Sequence, residues 1–530
     1  MNNSISKEPG FKNEKVLEYL PGSPERLALE AELAHMSSSF VEIPVVIGGK
    51  EIRTGSKGRC TIPHDKNKVI GEYHKAGKKE AEMAIEAALE AKINWERMPW
   101  ESRIAIFRKA AELAAGPWRA KLNAATMLSQ SKTCNQAEID SACELVDFIR
   151  YNAVCLHQIY GEQPISTDAI WNRMEYRPLE GFVFALSPFN FTSIGSNLVG
   201  APAIAGNTVI WKPASNVVYS AYMVYKLFEE AGVPAGVINF IPGSPGDIVD
   251  TVLTNENLSG IHFTGSTGVF RNMWTTVGNN IGNYKTFPRL VGETGGKNYV
   301  IAHPSADAED VALGLFEGAF EYQGQKCSAA SRAYIAGSIW PAVRESLLKK
   351  AAAAKVGDVQ DPSVFMGAVI DKNAFDTIKG YIDFAGASSE AEIIFGGKCD
   401  DSTGYFIEPT VILTGNPHFR TMEEEIFGPI MTIYVYKDED YSDVLKLCGS
   451  TSKYGLTGSV FAKDRYAIVE AERELVNTAG NFYINDRPTG AVVGKQPFGG
   501  ARLSGTNDKA GSKLNLLRWM SPRVIKERLL

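Results

Sequence analysis

A thiol, a carboxylate and a primary amide stand at element ends, where a fold displays reactive groups. Cys327 lies in Gly324-Gln325-Lys326-Cys327-Ser328, just past a predicted helix and beside a lysine whose charge favours thiolate over thiol, the setting of a sulfur nucleophile. Glu293 is flanked by Gly292, Thr294, Gly295 and Gly296 just past a predicted strand, so its carboxylate projects from a tight turn and suits a general base. Asn190 closes the run Ser187-Pro188-Phe189-Asn190 and offers an amide where an oxyanion donor would be needed. Taken singly, each has an ordinary reading: a buried structural cysteine, a solvated or helix-capping glutamate, a turn asparagine.

Two further signals concern a phosphate-bearing ligand. The turn Gly265-Ser266-Thr267-Gly268 sits between a strand and a helix and would aim backbone N–H groups at a phosphate, although no G-x-G-x-x-G fingerprint occurs in the chain. Lys212 follows Val209-Ile210-Trp211 where dinucleotide folds place an acidic residue on the ribose, so a lysine donor could bond ribose hydroxyls instead, or simply reach the surface. The seven histidines form no H-E-x-x-H pair and no His/Cys cluster has zinc spacing, so no metal is expected. The absence of G-x-S-x-G argues against a serine hydrolase.

The elements that must position these groups follow from apolar patterning. Short apolar runs at Phe182 to Leu186, Thr208 to Trp211, Val237 to Ile241, Gly260 to Phe263 and Arg289 to Val291, several separated by helix-length segments such as Val217 to Ala231, have βαβ spacing and imply a buried parallel sheet. Their carboxyl ends are the segments that hold Asn190, Lys212, Gly265 and Glu293, and such ends bind ligands. A second alternation is expected from a helix at Asp307 to Glu321 through strands near Ala333, Phe406, Met431 to Tyr436, Thr457 to Phe461 and Asn481 to Ile484, giving two α/β domains with a cleft between them. Upstream, residues 1 to about 40 read as a polar, proline-punctuated arm and Glu42 to Arg53 as a hairpin turning at Gly48-Gly49. Helices are expected over Lys78 to Ala115, broken at Met98-Pro99-Trp100, and over Asn135 to His157.

Composition agrees with a multi-domain globular chain. It has 530 residues, 44% hydrophobic and 22% charged, with 55 Lys plus Arg against 61 Asp plus Glu and a net charge of −6. No nucleic-acid groove is expected from that balance, and no apolar run reaches the roughly 18 residues of a membrane span. Seven cysteines with no CxxC spacing read as free thiols in a reducing compartment. The first 20 residues lack the apolar core of a secretory signal and the Arg-rich character of a transit peptide, so a cytoplasmic location is expected, with the mitochondrial matrix as the alternative for a eukaryotic source.

The order and spacing of Ser187-Pro188-Phe189-Asn190, Lys212-Pro213, Phe263 to Ser266, Glu293 to Lys297, Gly324 to Cys327 and Glu425 to Pro429 resemble the aldehyde dehydrogenase superfamily over nearly the whole chain. The longer strings Ser187 to Thr192, Phe320 to Ser328, Asn481 to Asp486 and Gln496 to Asp508 are similar to its branch that oxidises the gamma-semialdehyde of glutamate. The resemblance implies a Rossmann-type cofactor domain (30–160 and 181–295), a catalytic domain (296–497), oligomerisation strands (161–180 and 511–530) and an N-terminal arm (1–29). It implies Cys327 as nucleophile, Glu293 as base for hydrolysis of a thioester, and Asn190 with the Cys327 N–H as oxyanion donors. For NAD it implies Ser187, Lys212, Gly265, Ser266, Thr267, Gly268, Val269, Glu425 and Phe427; Ser215 is not acidic, so nothing in its turn repels a 2′-phosphate.

For the substrate it implies Glu144 on the ammonium, Ser328, Gly490 and Ala491 on the carboxylate with Lys326 adding positive charge, and Phe191 and Phe498 around the aliphatic chain. Relatives vary between Ser and Ala at position 491, so here backbone donors would have to suffice. A homodimer or larger homo-oligomer is expected. Some members are fused behind a proline-oxidising barrel; the 180 residues before the first rim strand are too few for one, so substrate is expected from a separate proline dehydrogenase.

Overall fold

The computed structural model of the protein describes residue 7 and residues 10–529. Residues 1–6, 8 and 9 of the expected arm and residue 530 of the expected last strand lie outside the described residues. Two seven-stranded sheets dominate. The first runs in the order Arg289–Glu293, Leu258–Thr264, Phe182–Leu186, Thr208–Lys212, Ile238–Phe240, Val45–Ile47, Lys50–Ile52. Its first five strands are parallel, and the last two are the expected Gly48-Gly49 hairpin, added antiparallel at the edge.

These strands are continuous apolar runs because both faces are covered. Phe182, Phe184 and Ile210 pack into one core and Val183, Ala185, Val209 and Trp211 into the other, following the alternation of side chains along a strand. Burying each large side chain contributes about 1.5–3 kcal/mol. From Phe182–Leu186 the chain moves outward through Thr208–Lys212 and Ile238–Phe240. It then returns to Leu258–Thr264 and moves out the other way to Arg289–Glu293. The loops after Phe182–Leu186 and Leu258–Thr264 therefore part, opening a crevice at the carboxyl ends, the usual ligand position in such sheets.

The second sheet has the order Ala391–Phe395, Thr410–Thr414, Ile430–Tyr436, Ala330–Ala336, Asn298–Ala302, Thr457–Phe461, Asn481–Ile484, parallel except at Ala391–Phe395. Phe406, expected in this sheet, lies instead in a two-residue pairing with Cys399–Asp400, and the sheet takes the nearby Thr410–Thr414. Two buried clusters flank this sheet as well. A separate antiparallel pair joins Ile170–Pro178 to Met520–Arg528 over nine residues.

Two helical features differ from expectation and one agrees with it. The polar arm contains the helix Pro24–Ser38, started by Pro24 and by the Ser23 side chain accepting from the Arg26 N–H, and anchored by buried Leu29, Leu33 and Met36. The expected helix over Asn135 to His157 is instead a short turn Cys134–Ala137, a π-helical segment Glu138–Glu144 and the helix Leu145–Gly161. The break at Pro99 separates Lys78–Trp95 from Trp100–Ala115 as the sequence suggested. Among the described residues no helix is long and apolar enough to cross a membrane, and no three His, Cys, Asp or Glu side chains are grouped to hold a metal.

Candidate active site

The helix Ala308–Phe320 feeds the loop that carries Cys327. Tyr322, Gln323 and Gly324 then adopt left-handed backbone, at φ of 54°, 55° and 63°. For the two non-glycine residues this costs roughly 1–2 kcal/mol each. Side-chain amides offset it. Gln323 Nε2 donates to the Ser131 and Ala368 carbonyls at 3.0 and 2.7 Å and its Oε1 accepts from Gly367 N–H at 3.1 Å, while Gln325 Oε1 accepts from Ile370 N–H at 2.9 Å. At Gly324 a Cβ would overlap the Gly428 carbonyl, so only glycine fits.

Asn298, a residue that sequence reasoning passed over, fixes the nucleophile itself: its Nδ2 donates to the carbonyls of Cys327 (2.7 Å) and Ala329 (2.8 Å). Asn190 is buried and its Nδ2 donates to the Gln325 carbonyl at 3.0 Å, which brings the expected oxyanion donor onto the nucleophile loop. Burial, then the nearby charges of Glu293 and Glu425, push the Cys327 thiol up to about 12. The expectation that Lys326 favours thiolate is corrected here: its ammonium turns to Glu321 at 2.5 Å, and the charges that bear on the sulfur are carboxylates.

Glu293 ends the strand Arg289–Glu293 and is covered by residues more than 200 positions later. Gly292 and Thr506 exchange hydrogen bonds, Thr294 N–H donates to the Ser504 carbonyl at 2.9 Å, and Gly500 N–H donates to Glu293 Oε2 at 3.1 Å. Burial raises the Glu293 carboxyl well above the usual range, against the opposing pull of the Gly500 N–H and the Lys509 charge. Gly295 and Gly296 are needed for close approach: a Cβ on the first would overlap the Glu425 carboxylate, and on the second the Cys327 carbonyl. Gly296 N–H donates to Glu425 Oε1 at 2.7 Å, and burial lifts Glu425 to about 7.

The crevice of the first sheet holds the remaining donors. Ser187 Oγ accepts from Trp211 Nε1 at 2.9 Å. Lys212, far from reaching the surface, is 7% exposed; its hydrogen bond to the Pro213 carbonyl is long, 3.4 Å, and burial lowers its ammonium to about 8. Ser266 caps the helix Thr267–Asn279, Thr267 Oγ1 bonds the Tyr454 hydroxyl at 3.4 Å, Gly268 borders open space and Val269 is exposed. The Phe427 ring lies edge-on to Phe189 with centroids 5.7 Å apart, joining the Glu425 loop to the Asn190 loop.

On the other side of Asn190, Phe191 lies beneath the buried Lys132 ammonium, 4.1 Å from the ring, and edge-on to Tyr322. Lys132 pairs with Asp140 at 2.6 Å, and Asp140 accepts from the N–H groups of Thr192 and Ser193 at 2.9 and 2.8 Å, holding the start of the helix Thr192–Ile204. No sequence spacing signals this clamp. Glu144 Oε2 accepts from Ser193 Oγ at 2.8 Å; burial, then the Asp140 charge, lifts Glu144 to about 8. Ser328 Oγ and Thr489 Oγ1 are 2.8 Å apart, which ties the loop of Gly490 and Ala491 to the nucleophile. Gly490 has φ of 95°, and Phe498 pairs through its backbone with Ala510 in the segment that covers Glu293.

The sequence profile described as the aldehyde dehydrogenase family matches residues 53–525. The mitochondrial delta-1-pyrroline-5-carboxylate dehydrogenase of Dictyostelium discoideum is 52% identical over 518 residues, 97% of this chain and 93% of that one. The human mitochondrial protein of the same name is 48% identical over 516 residues, 97% and 92%. The crystal structure of the Mycobacterium tuberculosis delta-pyrroline-5-carboxylate dehydrogenase bound with NAD superimposes with a TM-score of 0.96 at 49% identity, covering 100% of this chain and 98% of that one. With a family match from just past the edge hairpin into the last strand, and a fold shared end to end, the chain belongs to the aldehyde dehydrogenase family.

Proposed function

We propose that this protein oxidises L-glutamate gamma-semialdehyde, the open form of delta-1-pyrroline-5-carboxylate, to L-glutamate with NAD, the second step of proline breakdown. The observation that carries the reading is the assembly of Cys327, Glu293 and Asn190 beside a half-buried carboxyl, Glu144, in a chain about half identical to dehydrogenases of that name.

In this reading the Cys327 sulfur adds to the aldehyde carbon as its proton passes to Glu293, and the Asn190 amide and Cys327 N–H hold the oxygen. NAD, when bound, supplies the two-electron acceptor that turns the thiohemiacetal into a thioester. Glu293 gives that first proton up to solvent, then takes one from the water that attacks the thioester carbon and hands it to the departing Cys327 sulfur, so that glutamate leaves and the thiol is restored. A carboxyl raised by burial is a better proton acceptor than an ordinary one, and such a base contributes roughly 10²–10⁴-fold.

The residues present fit the cofactor. A buried ammonium with one long hydrogen bond, Lys212, suits ribose hydroxyls, and the open, capped helix start at Gly265, Ser266, Thr267, Gly268 and Val269 together with Ser187 suits the pyrophosphate. Glu425 would hold the nicotinamide ribose, with Phe427 packed nearby. For the substrate, Glu144 takes the ammonium, while Ser328 and the backbone at Gly490 and Ala491 take the carboxylate with Lys326 adding charge. Phe191 and Phe498 flank the carbon chain.

The cofactor domain is 30–160 with 181–295, and the catalytic domain is 296–497. The pair of strands in 161–180 and 511–530 makes a homo-oligomer, a role supported by exposed Trp171 and Val524 on it. The semialdehyde is supplied by a proline dehydrogenase activity. The compartment is the cytoplasm, or the mitochondrial matrix for a eukaryotic source, as the names of the eukaryotic relatives favour.

The test is NADH formation from pyrroline-5-carboxylate and NAD by the parent and by Cys327→Ala. Turnover by the parent alone is expected; better turnover of a semialdehyde without an α-amino group would overturn the reading.

A further inference from the structure

Residues 11–19 lie across the back of the segment that carries Glu144. The amide of Asn13 gives its two hydrogens to two different walls: to Asp147 Oδ2 at 2.8 Å and to the Val493 carbonyl at 2.9 Å. Asp147 stands three residues past Glu144 on the helix Leu145–Gly161. Val493 belongs to the loop of Gly490 and Ala491, which Thr489 ties to Ser328.

The neighbours of Asn13 grip the same helix. Glu14 N–H donates to Asp147 Oδ1 at 2.7 Å, and its carboxylate takes Arg119 and Arg150 at 2.9 and 2.7 Å. Leu17 N–H and the Tyr19 hydroxyl each donate to Glu138 at 2.8 Å, so Glu138 and Asp147 are held on either side of Glu144. Phe11 packs on Tyr151, with centroids 4.7 Å apart, and lies so close to Gly494, which has φ of 82°, that a Cβ there would come within 2.8 Å of its ring.

An α-amino acid presents its carboxylate and ammonium on one carbon, so their receptors must keep a fixed separation. Here one receptor is on a helix and the other on a loop, and a loop holds position only through what fastens it. We propose that residues 11–19 are a strap that sets the distance between these two walls, with Asn13 as the positioning residue, and so select an aldehyde bearing both groups. This rests on the substrate reading above.

The experiment compares the parent, Asn13→Ala and Asn13→Asp in full-length protein, using pyrroline-5-carboxylate and butanal, which lacks both groups, with NAD affinity followed by protein fluorescence. Asn13→Ala is expected to raise KM for pyrroline-5-carboxylate about 10-fold with kcat within about twofold, leaving butanal turnover and NAD affinity unchanged. Asn13→Asp, which sets a second carboxylate against Asp147, is expected to raise it further. Equal losses on both aldehydes, or no change in KM, would overturn the strap. A parent with no preference for pyrroline-5-carboxylate over butanal sinks the substrate reading and the strap's selectivity together, whereas a selective parent with an equally selective variant sinks the strap alone.

Discussion

Around Cys327 the groups that hold the chain are neutral amides, from Asn298, Gln323, Gln325 and Asn190. From Lys132 to Asp147, on the other side of the same pocket, the holding groups are charged: Lys132 with Asp140, Arg119 with Glu138, and Asp147 on the strap. Amides fix a strained loop without imposing a charge on the sulfur, so the proton balance of the thiol is left to burial and then to Glu293 and Glu425. Ion pairs give stiffer positioning at the cost of desolvation, and they suit a wall that must meet a charged ligand.

Four variants test this contrast. Cys327→Ala removes the one group the neutral scaffold presents, and NADH formation is expected to fall about 10⁴-fold with NAD affinity kept, read by stopped assay and fluorescence. Lys132→Met leaves Asp140 buried without its cation and should destabilise the fold by about 3–5 kcal/mol, seen as a lower thermal midpoint. Asn298→Ala frees the Cys327 carbonyl, and kcat should drop by about 10²-fold through misplacement of the sulfur, with a much smaller change in midpoint than Lys132→Met. An equal loss of stability in both variants would erase the distinction between the two scaffolds.

The smallest effect concerns pH. Glu144 is lifted from an ordinary value of 4.5 to about 8, so between those values the folded state binds a proton that the unfolded state has lost. Its stabilising contribution is fully present below pH 4.5 and is lost as pH rises through 8. Glu144→Gln should flatten that slope in urea midpoints measured from pH 5 to 8.5, while raising KM for the semialdehyde. An unchanged slope would mean that Glu144 is ionised throughout.

The parallel strands of the first sheet were legible because a strand buried on both faces is a continuous apolar run, as Phe182–Leu186 is. The helix Pro24–Ser38 was hidden by its polar surface, although Ser23-Pro24 is a start signal and Leu29, Leu33 and Met36 keep helical spacing. The π-helical turn at Glu138–Glu144 changes the period too little over seven residues to show in a sequence. In the site, Cys327 stood out beside Lys326 past a helix end, and Glu293 through its glycine-rich neighbours. Asn298, Asp140 and Lys132 did not, because each acts through a partner brought close by the fold, and nothing in the types of Tyr322 and Gln323 announces a left-handed backbone.

The cover over Glu293 has a consequence for the order in which the enzyme comes alive. Its pieces, Gly500, Ser504 and Thr506, are synthesised more than 200 residues after Glu293, and the strand Met520–Arg528 must find Ile170–Pro178, made far earlier. During translation both sheets and the thiol exist before the carboxylate has its surroundings. The nascent chain therefore carries an uncoupled cysteine and acid, and reactivity switches on only as residues 500–506 dock, so that making the reactive groups and arming them are separate events.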